Sequence, residues 1–257
     1  MRILELMGMS STKYGGIEKF NKKLVDIDKS DDFVFVYVEK PECDDYIKDM
    51  TTDNSQIKEI SNKSIISYCI SVVILILRFR PHIIHFHFGN EKLLLAPFVK
   101  FFFPWIRQVG TFHSECILRS LKAKIMYRLY CKCQSKIIAV SKGVQKEIAA
   151  FYDSKKLITS YLGVKCDVSE TKDEARQILG IPKNCIVLTT IGFDVTIKGF
   201  DVLVDAVELL TKERLSIPAF IVNVVGLDSV RSAKFLDIVR GKNMESYFVS
   251  MGIRNDI

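Results

Sequence analysis

The sequence predicts an α/β protein: a complete Rossmann-like, doubly wound unit followed by part of a second Rossmann-like unit. Three observations carry this. Short apolar runs that read as strands alternate along the chain with stretches of helical periodicity. The strand runs, such as Phe33-Val34-Phe35-Val36-Tyr37-Val38, are apolar at successive positions, as in parallel sheets covered on both faces. Several of these runs are followed by Gly, His or Ser: the Gly15-Gly16 loop, His87-Phe88-Gly89, His113-Ser114 and Ser141. Such sheets bind ligands outside the carboxyl ends of their strands.

The first strand is Arg2–Met7, followed by a loop of small residues and then a helix with Ile17, Phe20, Leu24 and Ile27 on one stripe. The pair Gly15-Gly16 falls where that helix begins. There the first N–H groups lack intrahelical partners, the macrodipole favours an anion, and a chain without Cβ lets a phosphate come close. The plainer reading is a tight turn. The strand Phe33–Val38 is closed by Pro41, and residues 42–63 read as a loop with a short strand near Ile57–Ile60. Ser64 caps a helix through Phe79 whose interior, Ile65–Leu77, carries no charge. It falls short of the roughly twenty residues of a membrane span, so it reads as a helix buried against the sheet.

Ile83–Gly89 is a strand and turn, and Leu93–Phe103 an apolar helix interrupted by Pro97 and Lys100. Ile106–Phe112 is a strand that delivers His113 to its carboxyl end. Leu118, Leu121, Ile125 and Leu129 mark the next helix, Lys136–Val140 a strand, Ser141 the cap of a helix through Phe151, and Leu157–Leu162 a last strand. The first domain is thus residues 1–165 and the partial second domain residues 166–257. In the second, a helix opened by Thr171 or Asp173 leads to a strand Ile186–Ile191, a loop Gly192–Thr196 and a helix to about Leu210. The strand Ala219–Val225, a helix Ser229–Arg240 and a strand Tyr247–Ser250 complete it.

Of 257 residues, 48% are hydrophobic and 26% charged, which is a globular composition. Seven scattered cysteines without a CxxC pair fit reduced thiols in a cytosol. Glu5 and the early loop exclude a signal peptide. The net charge of +7 points to an anionic partner, and nucleic acid is the weakest choice, because no aromatic-basic signature or zinc finger is present. No GxGxxG turn favours a nicotinamide cofactor. His85 and His87 share one side of their strand; two imidazoles can bind a metal, but no third ligand is near in sequence, so packing at the strand end and no metal are expected.

The ordered set Gly15-Gly16-Ile17-Glu18, Pro81-His82-Ile83-Ile84-His85-Phe86-His87, Gly110-Thr111-Phe112-His113-Ser114, Ile138-Ala139-Val140-Ser141 and Ile191-Gly192-Phe193-Asp194-Val195-Thr196-Ile197-Lys198-Gly199-Phe200-Asp201 resembles the GT-B-fold, retaining glycosyltransferases of family four. This group includes many capsule, exopolysaccharide and lipopolysaccharide enzymes, and the resemblance spans essentially the whole chain. It implies a nucleotide-diphosphate sugar as co-substrate, no other cofactor, and a glycan or lipid-linked acceptor in cell-surface polysaccharide synthesis. It places Gly15, Gly16 and Lys198 on the donor diphosphate and His113 near the transferring sugar. The family's arginine beside the lysine is replaced by Phe193-Asp194, which weakens the clamp. The family's second domain also runs further and carries a donor-gripping pair of glutamates. The resemblance therefore implies a chain truncated in that domain, with Ile186–Ile191 left as an apolar edge. The alternatives are a split half completed by a second polypeptide and inactive alone, or a non-catalytic peripheral membrane or assembly protein.

From Ile117 to Lys136 every charged side chain is basic: Arg119, Lys122, Lys124, Arg128, Lys132 and Lys136. The expectation is a helix whose Leu/Ile stripe packs on the sheet. Its basic face, with Tyr127 and Tyr130 at the headgroup boundary, would lie on an anionic membrane. The protein would then be cytoplasmic and peripheral at the inner face of the cell membrane.

Overall fold

The computed structural model describes residues 1–11, 14–61, 63–114, 120–161, 163, 170–212 and 219–254. The chain divides into two compact units, Met1–Val164 and Lys165–Ile257.

The first unit holds seven parallel strands: β1 (Arg2–Leu6), β2 (Asp32–Tyr37), β3 (Ser55–Glu59), β4 (Ile83–Phe86), β5 (Arg107–Phe112), β6 (Lys136–Ala139) and β7 (Leu157–Thr159). Their order in the sheet is β3-β2-β1-β4-β5-β6-β7. The winding reverses between β1 and β4, and this switch point is where such sheets open a crevice. Helices α1 (Gly16–Ile27) and α2 (Asp44–Met50) link β1, β2 and β3, and α3 (Ile65–Phe79) crosses back to β4. Then α4 (Lys92–Phe102), α5 (Leu121–Cys133) and α6 (Lys142–Ala149) follow. Alternation along β2 serves both faces. Phe33, Phe35 and Tyr37 pack with Met7, Val25 and the α2 residues Tyr46 and Met50. Val34 and Val36 join Val72, Ile76, Val99 and Tyr130 on the other face. Hydroxyls of Ser64, Ser120 and Ser141 accept from the N–H groups of Ser67, Ala123 and Val144 and so cap α3, α5 and α6.

Three local readings of the sequence need correction. Residues 42–63 contain α2 as well as β3: Asp44 and Asp45 suit a helix N-terminus, and Tyr46 and Met50 lie one turn apart and are buried. Helix α3 is only half covered. Tyr68, Val72, Leu75 and Ile76 face the core, while Ile66 and Ile70 are 70% and 55% exposed. Helix α5 is turned the other way from the expectation. Its Leu121, Ile125 and Leu129 are exposed and Tyr130, Cys131 and Cys133 are buried. The reason lies on β5, where a Cβ at Gly110 would sit 2.2 Å from the Tyr130 hydroxyl, so a glycine there makes room for the tyrosine ring.

The second unit has three parallel strands, β8 (Ile186–Ile191), β9 (Phe220–Val225) and β10 (Phe248–Gly252), in the order β10-β9-β8. Helices α7 (Lys172–Ile178), α8 (Phe200–Lys212) and α9 (Ser229–Gly241) accompany them. Phe200, Val204, Val222, Val224, Phe235 and Phe248 form its core. Among the described residues β8 pairs with β9 alone. Its Ile186, Leu188 and Ile191 are exposed.

Candidate functional site

At the switch point of the first unit the loops after β1 and β4 lie against each other. His87 N–H donates to Leu6 O and Phe88 N–H to Met7 O, both at 3.0 Å. Gly8 has φ +61, and a Cβ there would stand 2.4 Å from Phe88 O, so only glycine fits this crossing. The sequence reading singled out Gly15 and Gly16 and passed over Gly8.

Gly15 is the N-cap of α1 and Gly16 its first residue. The Glu18 side chain folds back on this end, accepting from Gly15 N–H at 3.0 Å and from Ser11 Oγ at 2.6 Å. Lys19 N–H makes the first intrahelical bond, to Gly15 O. The N–H groups of Gly16, Ile17 and Glu18 precede it and have no carbonyl to bond within the helix. A Cβ on Gly16 would meet nothing within 4 Å, so the space beside it is open. The buried Glu18 carboxylate occupies one donor of this end and adds negative charge, two effects that the glycine pattern alone does not reveal.

His113 follows β5 and is tied to a buried cluster. Glu5 and His87 are 2% and 3% exposed. Parallel pairing of β1 with β4 sets Glu5 beside His85 in register, and β5 brings Thr111 and His113 alongside. Glu5 Oε2 lies 3.0 Å from His85 Nδ1 and 2.7 Å from His87 Nε2. His87 Nδ1 lies 2.9 Å from His113 Nε2, and His85 Nε2 lies 2.8 Å from Thr111 Oγ1. Phe88 stacks on the His113 ring at 4.3 Å. Lys92, also buried, donates from Nζ to His87 O at 2.6 Å and lies over the Phe112 and Tyr130 rings. Burial pushes the His87 pKa down to about 4, with the charges of His85 and Lys92 adding and Glu5 opposing. His113 is pushed down to about 3, again by burial first and then by His87, His85 and Lys92. Burial would raise Glu5, but the charges and N–H groups of His85 and His87 hold it well below the usual carboxylate range.

Glu5 is thus the third group that the sequence around His85 and His87 does not show. Glu5, His85 and His87 bring ligand atoms within 4.8 Å of one another. Their contacts at 2.7 and 3.0 Å are direct hydrogen-bond distances, and the cluster is closed by hydrogen bonds.

In the second unit, Gly192 follows β8. A Cβ there would meet Lys198 Cγ at 2.5 Å, so the lysine stem crosses the glycine. Lys198 is exposed, with Nζ 5.5 Å from the centre of the Phe193 ring. Asp194 Oδ1 accepts from the N–H groups of Thr196 and Ile197 at 3.0 and 2.8 Å, which gives that carboxylate a structural role in the turn. Lys122, Lys124 and Arg128 are exposed on α5, and Arg119 lies outside the described residues.

Two parallel α/β units, the first with glycine and histidine loops at its switch point, define a GT-B-like fold. Solved structures share it at low sequence identity. Anabaena HepE, in complex with UDP and glucose, is 17% identical with a TM-score of 0.74, over 100% of this chain and 70% of that one. A glycosyltransferase from Rickettsia africae is 18% identical at a TM-score of 0.73, over 100% and 69%. Sucrose-phosphate synthase from Thermosynechococcus elongatus is 13% identical at 0.72, over 99% and 71%. No family model matches the chain, and no curated protein does.

Proposed function

We propose that the chain is a retaining glycosyltransferase of family four that uses a nucleotide-diphosphate sugar. In this reading the N-terminus of α1, at Gly15 and Gly16, faces the donor diphosphate, Lys198 adds a point charge, and His113 stands by the transferring sugar. The acceptor is a glycan or a lipid-linked sugar in cell-surface polysaccharide synthesis. The single observation that carries the reading is the half-buried His113, hydrogen-bonded to His87 beside the switch point of a fold shared with a UDP- and glucose-bound protein. The open space beside Gly16 and the N–H groups ahead of the first helical bond support the phosphate assignment. Stabilisation of a departing diphosphate by such groups is electrostatic.

The test is calorimetric titration with UDP and UDP-glucose. Gly16→Val should keep the fold, because its side chain meets open space, and weaken binding by about tenfold or more by filling that space. Equal affinity in wild type and variant overturns the phosphate assignment.

A second reading is a half that needs a completing polypeptide; the exposed apolar edge of β8 favours it. We also propose an anionic membrane surface as partner of the basic helix α5. Among the described residues no helix is long and apolar enough to cross a membrane, and a peripheral site at the inner face of the cell membrane is the corresponding proposal.

A further inference from the structure

The carboxylate and imidazoles at the switch point form one hydrogen-bonded chain, and its proton positions follow from one end. The Glu5 carboxylate is ionised and can only accept. The protons facing it therefore sit on His87 Nε2, at 2.7 Å, and on His85 Nδ1, at 3.0 Å. His87 is neutral, so with its proton on Nε2 its Nδ1 is a bare acceptor. That acceptor lies 2.9 Å from His113 Nε2, which must then be the donor. His113 is neutral too and has one N–H to give. Once that proton is on Nε2, the free nitrogen of the ring is Nδ1.

We propose that Glu5 and His87 are positioning residues that lock His113 in its Nε2–H tautomer, so that it offers Nδ1 as a hydrogen-bond acceptor to a hydroxyl of the bound sugar. The locking is built into three strands: Glu5 lies on β1, His87 follows β4 and His113 follows β5. Phe88, stacked on His113 at 4.3 Å, holds the ring plane that the hydrogen bond to His87 selects. The use of Nδ1 by a sugar rests on the transferase reading above; the tautomer itself does not.

A divalent metal on Glu5, His85 and His87 makes the opposite demand. It would take the lone pair of His87 Nε2, move the His87 proton to Nδ1, and force His113 to accept on Nε2 and carry its proton on Nδ1. The two arrangements therefore differ in the position of one observable proton.

The experiment is long-range proton–nitrogen correlation of the ring nitrogens in the full chain labelled with 15N-histidine, near pH 7, with resonances assigned by His87→Gln and His113→Gln. The expected spectrum shows His87 and His113 both protonated at Nε2, unchanged by chelator or by one equivalent of zinc. A proton on His113 Nδ1, or a zinc-induced shift to it, overturns the proposal. Glu5→Gln supplies the second measurement, with circular dichroism as the check on folding. It removes the anionic acceptor, so His113 should become a mixture of tautomers, and sugar transfer should slow by about tenfold or more with donor KM within about twofold. A folded Glu5→Gln chain with the wild-type tautomer overturns the proposal; should that variant not fold, the wild-type spectrum still decides. The spectrum is read without donor. A locked Nε2–H tautomer in a chain that transfers no sugar therefore upholds the positioning and overturns the reading of this chain as a transferase by itself.

Discussion

Glu5, His87 and His113 exchange charge and hydrogen bonds in a place water barely reaches, and this makes stability depend on pH. The folded pKa values of His87 and His113, about 4 and about 3, lie below the ordinary 6.5. As pH falls, the unfolded chain takes up these protons first. The contribution is therefore complete above about pH 6.5 and is lost as pH falls toward 4 and then 3. Glu5, also lowered, acts in the same direction below its ordinary 4.5. The loss is steepest where both imidazoles are protonated only in the unfolded chain. Urea midpoints between about pH 8 and 5 test it: they should fall on the acid side, and a flat profile refutes the burial of neutral imidazoles. Gly8 gives a second residue-scale prediction. Gly8→Ala places a Cβ 2.4 Å from Phe88 O at a φ of +61, and should cost at least about 2 kcal/mol in a urea titration, whereas Gly16→Ala should leave the midpoint nearly unchanged. Sequence order placed His113 after a strand and the Gly15-Gly16 pair at the opening of a helix, and both stand there. It hid Glu5, Gly8 and Lys92. Glu5 and His87 are brought together by pairing across |i−j| = 82, and a glycine that makes room for a distant backbone looks the same in sequence as one that makes a turn.

Helices α3, α4 and α5 each turn an apolar stripe outward. Ile66, Ile70 and Leu77 on α3, Leu94, Phe98, Phe101 and Phe102 on α4, and Leu121, Ile125 and Leu129 on α5 are all exposed, and Trp105 just after α4 is 73% exposed. The helical periods were legible, but not which stripe faces the sheet. A helix apolar on every side carries no directional signal, and on α5 the choice was made by Gly110 and Tyr130, which belong to different elements. An apolar face this large is uncommon on an uncovered surface, and Lys122, Lys124 and Arg128 stand among its residues. Near anionic lipid each such basic residue contributes about 1 kcal/mol. The α5 helix is thus proposed to meet the membrane with its Leu/Ile stripe as well as its basic residues, while Tyr130 stays in the core. Co-sedimentation with anionic vesicles should fall with salt, and should fall strongly when Arg119, Lys122, Lys124 and Arg128 are changed to Gln. Phe98→Ser with Trp105→Ser should weaken binding even at low salt. Binding indifferent to lipid charge removes the basic residues from the interface.

For the molecule as a whole, the α/β class and the doubly wound first unit could be read from alternating buried strands and helices, because both faces of each central strand must be covered. Where the two units divide, at Val164 and Lys165, the sequence shows only a change of composition. The second unit has a weaker economy of burial. No residue of α7 is buried, and among the described residues β8 has an unpaired edge with Ile186, Leu188 and Ile191 exposed beside it. A row of free N–H and C=O groups flanked by aliphatic side chains is a template for another strand. The chain should therefore self-associate through β8. Sizing chromatography with light scattering over a concentration series should show species larger than a monomer. Ile186→Lys with Leu188→Lys should shift the population toward the monomer, because charges on an edge oppose strand addition. Coincident profiles for wild type and variant would place the contact elsewhere, the outward faces of α3 and α4 being the next surface to change. A monodisperse monomer at every concentration would show that the β8 edge recruits no second chain.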